Sequence, residues 1–501
     1  VKWRRSGLAG VLGAGIVIVV FRALVYLLFE QLAFDSDQAI VGLMAKHLIQ
    51  GSAFPLFFYG QTYMLAVESW AAAPFFLIAG PTVVALRMSM LVWNIVFACL
   101  LMIGFVRDGG LRPWSAFVAA LFFVAAPAAI SLQLMTALGG MIEPFVYIAL
   151  LWYLRRHPIW FGAVLAIGFR NREFTLYAVP VLLVLELVMG DLNRVRLREW
   201  LVSMAIFFAV WEAIEALKPL ADLSGPGTRG QLLGGFAGSQ VDNLLERFVW
   251  QPEALAERVM RMAPELVAWF AGSNPGYAGL PIANRPWLTW ISGGLVGLAT
   301  GRLLFLLAIG AARSSAPGVE TRVQRLRAQV IRAPFAFYIL GVGIVAVVAF
   351  VAARPVLHPY SRYVVLGVLI PVGLTATLLA LERRHALQRI VIVAVVMWTA
   401  LTLGDDAMLL AGVVRNPPAS PNRQVADRLV ERRIPVAAAG YWRAYVIAFL
   451  AREQVRVASN DWVRIQQYQQ LFVDHLSEAV VISESPCVGG EPVASLYLCK
   501  P

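Results

Sequence analysis

The chain is predicted to be an α-helical polytopic membrane protein of about eleven transmembrane helices, with a small C-terminal α/β domain outside the bilayer. Three observations predict it. Of its 501 residues 59% are hydrophobic and 14% charged, at a mean hydropathy of +0.71, more apolar surface than the polar shell of a soluble domain can hide. Apolar runs long enough to cross about 30 Å of hydrocarbon recur along the chain. Basic residues concentrate in alternate loops between them. The net charge of +12 and pI of about 9.9 therefore read as a topological signal, and no nucleic-acid partner is expected.

The first span, Gly7–Phe29, follows Lys2, Arg4 and Arg5. Its core is too long for a typical signal peptide, and no small-residue cleavage site follows it. Further spans are expected near Val83–Val106, Trp114–Ser131, Ile142–Leu154, Ile159–Gly168, Phe174–Met189, Trp200–Ala216, Trp287–Ala311, Pro334–Ala352, Val364–Leu381 and Ile390–Leu403. With the N-terminus inside, the short inner loops hold 18 Lys and Arg, while the short outer loops hold five: Lys46, Arg170, Arg172, Arg354 and Arg362. That asymmetry places the N-terminus in the cytoplasm and the C-terminal segment outside, as expected of a bacterial inner-membrane protein.

A membrane domain is thus expected over 1–404, with exocytoplasmic loops at 30–82 and 217–286, followed by an exocytoplasmic domain over 405–501. Gln38–Gln50 has Ile40, Leu43, Met44, His47 and Leu48 at helical spacing, the pattern of a helix lying in the membrane interface. Glu253–Phe270 also reads as helical. In the tail, Asn416–Pro421 reads as a linker, Gln424–Arg433 as a polar helix, and Val436–Ala439, Val455–Ser459 and Val480–Ser483 as short strands, hence the α/β expectation. Cys99 reads as a packing residue. Cys487 and Cys499 fall where oxidation is permitted, so a disulfide and two free thiols are both open.

The residues suited to chemistry gather at the outer face. Asp35 and Asp37 open the first outer loop, two carboxylates projecting to one side of an extended segment. One could serve as general base on a hydroxyl, or both could hold a divalent cation. The structural alternative is capping of the helix that starts near Gln38. Downstream, Tyr59, Gln61 and Tyr63 offer aromatic and polar contacts to a sugar or prenyl chain, or form an ordinary interfacial belt. Phe169–Phe174 carries Arg170, Arg172 and Glu173 after an apolar stretch of only ten residues, about 15 Å of helix. Charges at such depth normally face a cavity or one another, so Arg170 or Arg172 could bind phosphate with Glu173 orienting it, against an ordinary charged turn. Finally, His358, Arg362 and Tyr363 enter a late span from outside. Arg362 is placed to bind a membrane-embedded phosphate, and headgroup anchoring is its alternative. No histidine metal pattern, phosphate-binding glycine loop or nucleophile elbow occurs.

The acidic loop, with Ala45 and Gly51 in its following helix and Arg362-Tyr363 at a late span, resembles the GT-C glycosyltransferases, among them protein mannosyltransferases and aminoarabinose transferases. The resemblance extends in layout over roughly residues 5–405. It implies an inverting transferase drawing a sugar from a polyprenyl-phosphate donor, with membrane lipids around it and a glycan, lipid or protein hydroxyl as acceptor. On that footing Asp37 is the expected general base, Asp35 a metal or acceptor contact, and Arg362 the donor-phosphate clamp. Tyr363 and His358 support it, and the tail recognises acceptor. Gln38 stands where the family commonly has Glu, which weakens the case for a divalent cation on Asp35 and Asp37. A transporter or lipid-linked-sugar flippase, an O-antigen polymerase or ligase, and a non-catalytic scaffold are the rival readings.

Overall fold

The computed structural model describes residues 2–233, 241, 252–270, 286–312, 319–352 and 361–501. Among them seven helices are long and apolar enough to cross a membrane: Gly7–Leu28, Val83–Arg107, Arg194–Leu220, Trp290–Ala308, Pro334–Ala352, Arg362–Leu381 and His385–Arg415. Side chains at three entry points accept the first orphan backbone N–H groups: Asp35 from Gln38, Thr82 from Ala85 and Asn193 from Arg196.

The expected eleven spans reduce to seven or eight among the described residues, for two physical reasons. The single span expected near Trp114–Ser131 is two helices, Pro113–Val124 and Ala128–Met135, bent by 81°. Pro127 sits at the break, where it lacks an N–H and disfavours the helical conformation of the residue before it. Glu143–Leu154, Pro158–Asn171 and Ala178–Met189 are helices of 12, 14 and 12 residues, about 18–21 Å each at 1.5 Å per residue and too short to cross singly. Conversely, the first outer loop contains an apolar helix, Val67–Ala79, that hydropathy alone left in the loop.

The last span runs on to Arg415, so the expected boundary after residue 404 falls inside a helix. Beyond it lies a five-stranded sheet. Its strands are β1 (Val436–Ala439), β2 (Arg456–Ser459), β3 (Val480–Ser483), β4 (Glu491–Val493) and β5 (Leu496–Cys499), ordered β2-β1-β3-β5-β4. β1 pairs in parallel with β2 and β3, while β5 joins β3 and β4 antiparallel. All four residues of β1 are buried, as befits a central parallel strand. Helices Pro421–Glu431, Tyr441–Leu450 and Gln466–Asp474 complete the domain. Cys487 and Cys499 are disulfide-bonded, with Cα atoms 6.0 Å apart, which resolves the alternative left open by the sequence.

This domain corrects the expected interfacial helix. Ser36–Ile49 is helical but buried from Gln38 to His47 on every side, held between Val67–Ala79 and Tyr441–Leu450. The approach is close: a Cβ at Gly42 would lie 2.5 Å from the Phe449 ring. Its polar residues find partners in the domain instead of headgroups. Glu453 receives Lys46 Nζ, lies 2.9 Å from His47 Nε2, and accepts the Tyr468 hydroxyl at 2.5 Å. Burial pushes the Glu453 carboxyl up, but His47 and Lys46 win and hold it well below the usual carboxylate range. The ion pairs Arg423–Glu30 and the Gln31 bond to the Pro418 carbonyl dock the domain at the chain's first outer turn as well.

Candidate functional site

The site is assembled where the loop after the first span, a late span and the C-terminal domain meet. Arg87 donates to the carbonyls of Tyr26 and Leu32 at 2.6 Å each. It thereby fastens the end of the first span and presents the next residues, Asp35 to Asp37. Asp35 is the N-cap of Ser36–Ile49, taking the Gln38 N–H at 3.0 Å, so the capping role foreseen as an alternative is realised. Capping uses only one of its lone-pair directions. Asp37, two residues on, accepts the Tyr441 hydroxyl, and the Ser36 hydroxyl bonds the Tyr441 carbonyl.

Tyr441 is therefore part of the site although it belongs to the C-terminal domain. It is only 1% exposed. The Arg464 guanidinium lies 5.9 Å from its ring, 5.3 Å from that of Phe58, and bonds the Gly60 carbonyl at 3.1 Å. Gly60 has φ +74°, and a Cβ there would sit 2.8 Å from Arg464, so glycine is required for both the turn and the approach.

Arg362, at the mouth of the Arg362–Leu381 span, lies within electrostatic reach of Asp35. Its guanidinium stacks on Tyr363 at 5.1 Å, and its Nε is buried without a hydrogen-bond partner among the described residues. Tyr363 meets Phe174 edge-on at 6.4 Å. Phe174 in turn underlies Arg172, 5.8 Å away, whose charge is felt by Glu173, Tyr363, Tyr63 and Glu68. Ring contacts thus run from Arg362 through Tyr363 and Phe174 to Arg172, with Asp35 in electrostatic reach of Arg362. Burial, and then the neighbouring Asp37, push the Asp35 carboxyl up to about 6, against the pull of the Gln38 bonds and Arg362.

Other candidates lie elsewhere. Arg170 is 1% exposed, ion-paired with Glu215 at 2.5 Å and packed between Trp211 and Phe57; its charge is already spent on the Arg194–Leu217 helix. Tyr59 is fully buried with its hydroxyl 3.1 Å from His47 Nδ1, so it belongs to the docking contact. Gln61 is partly buried in the turn beside Gly60, its Oε1 unpaired. Glu173 begins a 3-10 turn, 9% exposed, beside Arg172. His358 and Arg354 lie outside the described residues.

Sequence reasoning missed a buried polar chamber behind Arg172. Glu68 and Glu143, 2% and 0% exposed, interact electrostatically, and Glu143 accepts the Met141 N–H at 3.1 Å. Asn171 donates to Glu68 at 3.2 Å, while Glu143 Oε1, Tyr147 Oη and Asn171 Oδ1 have no partner among the described residues. Each carboxylate opens an apolar helix, a position easily dismissed as dipole complementation; only the fold places them together. Tyr441 carried no signal at all.

The donor set for a cation on Asp35 and Asp37 is thin. Each carboxylate has an oxygen engaged, an arginine already supplies positive charge beside them, and among the described residues no three His, Cys, Asp or Glu side chains converge. Hard cations take six or more oxygen ligands, so no step is derived through one.

No family model matches the sequence, and no curated protein matches it. Among solved structures the chain is similar to ArnT from Cupriavidus metallidurans bound to undecaprenyl phosphate, with 13% identity and a TM-score of 0.48 over 99% of this chain and 97% of that one. It is also similar to ArnT from the same organism in the apo state, with 14% identity and a TM-score of 0.45 over 95% and 93%. No residue correspondence is drawn from either.

Proposed function

We propose that the chain is an inverting glycosyltransferase that moves a sugar from a polyprenyl-phosphate donor to an acceptor hydroxyl at the exocytoplasmic face of the bacterial inner membrane. The single observation that carries this reading is the pair Asp35 and Asp37 at one helix start, with Arg362 in electrostatic reach of Asp35. In the reaction the acceptor oxygen bonds to the anomeric carbon from one face as the carbon–phosphate oxygen bond breaks on the other. Asp37 takes the hydroxyl proton, held in place by Tyr441. The departing phosphate gathers negative charge, which Arg362 and Arg172 meet with preorganised cations. Asp35, within electrostatic reach of Arg362, favours a cation at that position before donor arrives. No further energy source is needed, because the donor's own phosphate ester bond is consumed. The C-terminal domain supplies Tyr441 and the surface for acceptor recognition.

The transporter reading draws on one observation, the buried Arg22 and Asp406 inside spans. Arg22, however, spends its donors on the Val124 carbonyl, Ser131 and Asn94, the arrangement of a fixed interhelical tie.

Purified full-length protein offered radiolabelled polyprenyl-phosphate sugars and hydroxyl acceptors should release or transfer sugar, and Asp37→Asn should abolish this. Unchanged turnover in that variant removes the base assignment. Donor bound as tightly by Arg362→Ala as by the wild type removes the phosphate clamp, whose loss should cost about 2–5 kcal/mol.

A further inference from the structure

At the opposite end of the Arg362–Leu381 span, about 30 Å from the acidic patch by helix rise, the bundle leaves a cavity of about 300 Å³. This is the lower end of the size of small-molecule sites, about 300–1,000 Å³. It lies between Trp290–Ala308, Arg362–Leu381 and His385–Arg415, walled by Leu295, Ala299, Leu374, Leu378, Val391 and Val395. Leu298 and Ile390, also in its wall, are 75% and 62% exposed, so it opens sideways out of the bundle. In a bilayer that opening faces hydrocarbon, and the occupant offered to it is a lipid chain.

One end of the cavity is charged. Arg302 donates its Nε to Glu382 at 2.6 Å, and Glu382 is 7% exposed. The other Glu382 oxygen accepts the backbone N–H groups of Arg383 and Arg384 at 2.9 Å each. The carboxylate therefore cancels Arg302 and folds the turn, while the side chains of Arg383, Arg384 and Arg389 stand exposed with no carboxylate partner among the described residues. Three such guanidiniums, next in sequence to the cavity-lining Glu382, Gln388 and Ile390, complement one kind of molecule, a phosphate on acyl chains.

We propose that this cleft is a binding site for one anionic phospholipid of the leaflet facing the Arg383–Arg389 turn. One acyl chain fills the space between the three spans, and the phosphate lies across Arg383, Arg384 and Arg389. The site is separate from the acidic patch, since its cations lie at the other end of the same span, and it stands whether or not the transferase reading does.

The test uses delipidated full-length protein in detergent. Native mass spectrometry follows binding of phosphatidylglycerol and of phosphatidylcholine with identical chains. The wild type should retain phosphatidylglycerol at least about tenfold more tightly, each arginine near a headgroup phosphate being worth about 1 kcal/mol. Arg383→Gln/Arg384→Gln/Arg389→Gln, changes confined to exposed side chains, should erase that preference at unchanged melting temperature. Ala299→Trp should weaken both lipids by filling the cleft, and Arg362→Ala should leave phosphatidylglycerol binding intact. Equal affinity for the two lipids in the wild type, or a preference that survives the triple substitution, overturns the proposal. So does competition in which polyprenyl phosphate displaces phosphatidylglycerol from wild type and Arg362→Ala alike, which would make the cleft a prenyl-chain site.

Discussion

Asp35 is held in a state that costs the fold stability, and replacing it should reveal the cost. Its carboxyl is raised to about 6, chiefly by burial and next by Asp37, against about 3.9 in an unfolded chain. Between those values the native state binds the extra proton. The Asp35 contribution to stability is therefore most favourable at or below about pH 4, falls as pH rises through 6, and is flat above. About two pKa units at 1.36 kcal/mol each give an upper bound of about 3 kcal/mol at pH 8. Asp35 is partly exposed, so water screens some of this and about 1–3 kcal/mol is the expected range. Asp35→Asn keeps an oxygen for the Gln38 N–H, and asparagine caps helices as well as aspartate does, but it carries no charge.

The variant should therefore melt higher than wild type at pH 8, by about a few degrees, with the gain vanishing near pH 4. Intrinsic-fluorescence melting of both proteins in one detergent across pH 4–8 measures it. A gain of equal size at both pH values would mean that charge is not the source. A loss at pH 8 would mean that Arg362 and Arg87 overcompensate the burial, and the reasoning would fail. The same substitution should lower transferase turnover, so stability and activity should move in opposite directions, as strain kept at a working site predicts.

Tyr441→Phe should lower kcat about tenfold with KM little changed, since it removes the donor that fixes Asp37 without touching donor lipid; steady-state kinetics checks this, and a change confined to KM contradicts it. Glu453→Gln should destabilise by about 3–5 kcal/mol by leaving Lys46 and His47 facing a neutral partner, and limited proteolysis should then release the C-terminal domain faster. Arg170→Ala should lower the melting temperature, because Glu215 keeps only Lys218 and a buried guanidinium is lost from between Trp211 and Phe57, yet leave donor affinity as it was; a weakened donor would return Arg170 to the site. Gly140→Ala should weaken donor binding in the same assay, because its Cβ would fall 2.4 Å from Arg172 Cγ at a φ of +86°, displacing that guanidinium.

What the sequence made legible was whatever depends on local pattern. Apolar runs located the long helices, and short apolar runs located β1 and β3 at both ends, because both signals live within a few neighbouring residues. The failures have a different physics. The last span is expected to end at Leu403, with Asp405 and Asp406 just beyond it, yet the helix continues. Asp406 is buried within reach of Arg22, 384 residues earlier in the chain, and a charge balanced by a distant partner looks, locally, like a stop. Ser36–Ile49 had the stripe of a helix lying on a membrane, but its polar face docks on Glu453 and Phe449. Amphipathicity says that a second surface exists, not whether it is lipid or protein. Asp35 and Asp37 show the same limit at the site itself. Their spacing permitted a cap or a catalytic pair, and the fold makes one residue the cap while presenting the other to Tyr441. Capping and chemistry are then complementary demands: the backbone bond that ties Asp35 to Gln38 is what fixes where Asp37 points, so a loop that caps well is also a loop that aims a base.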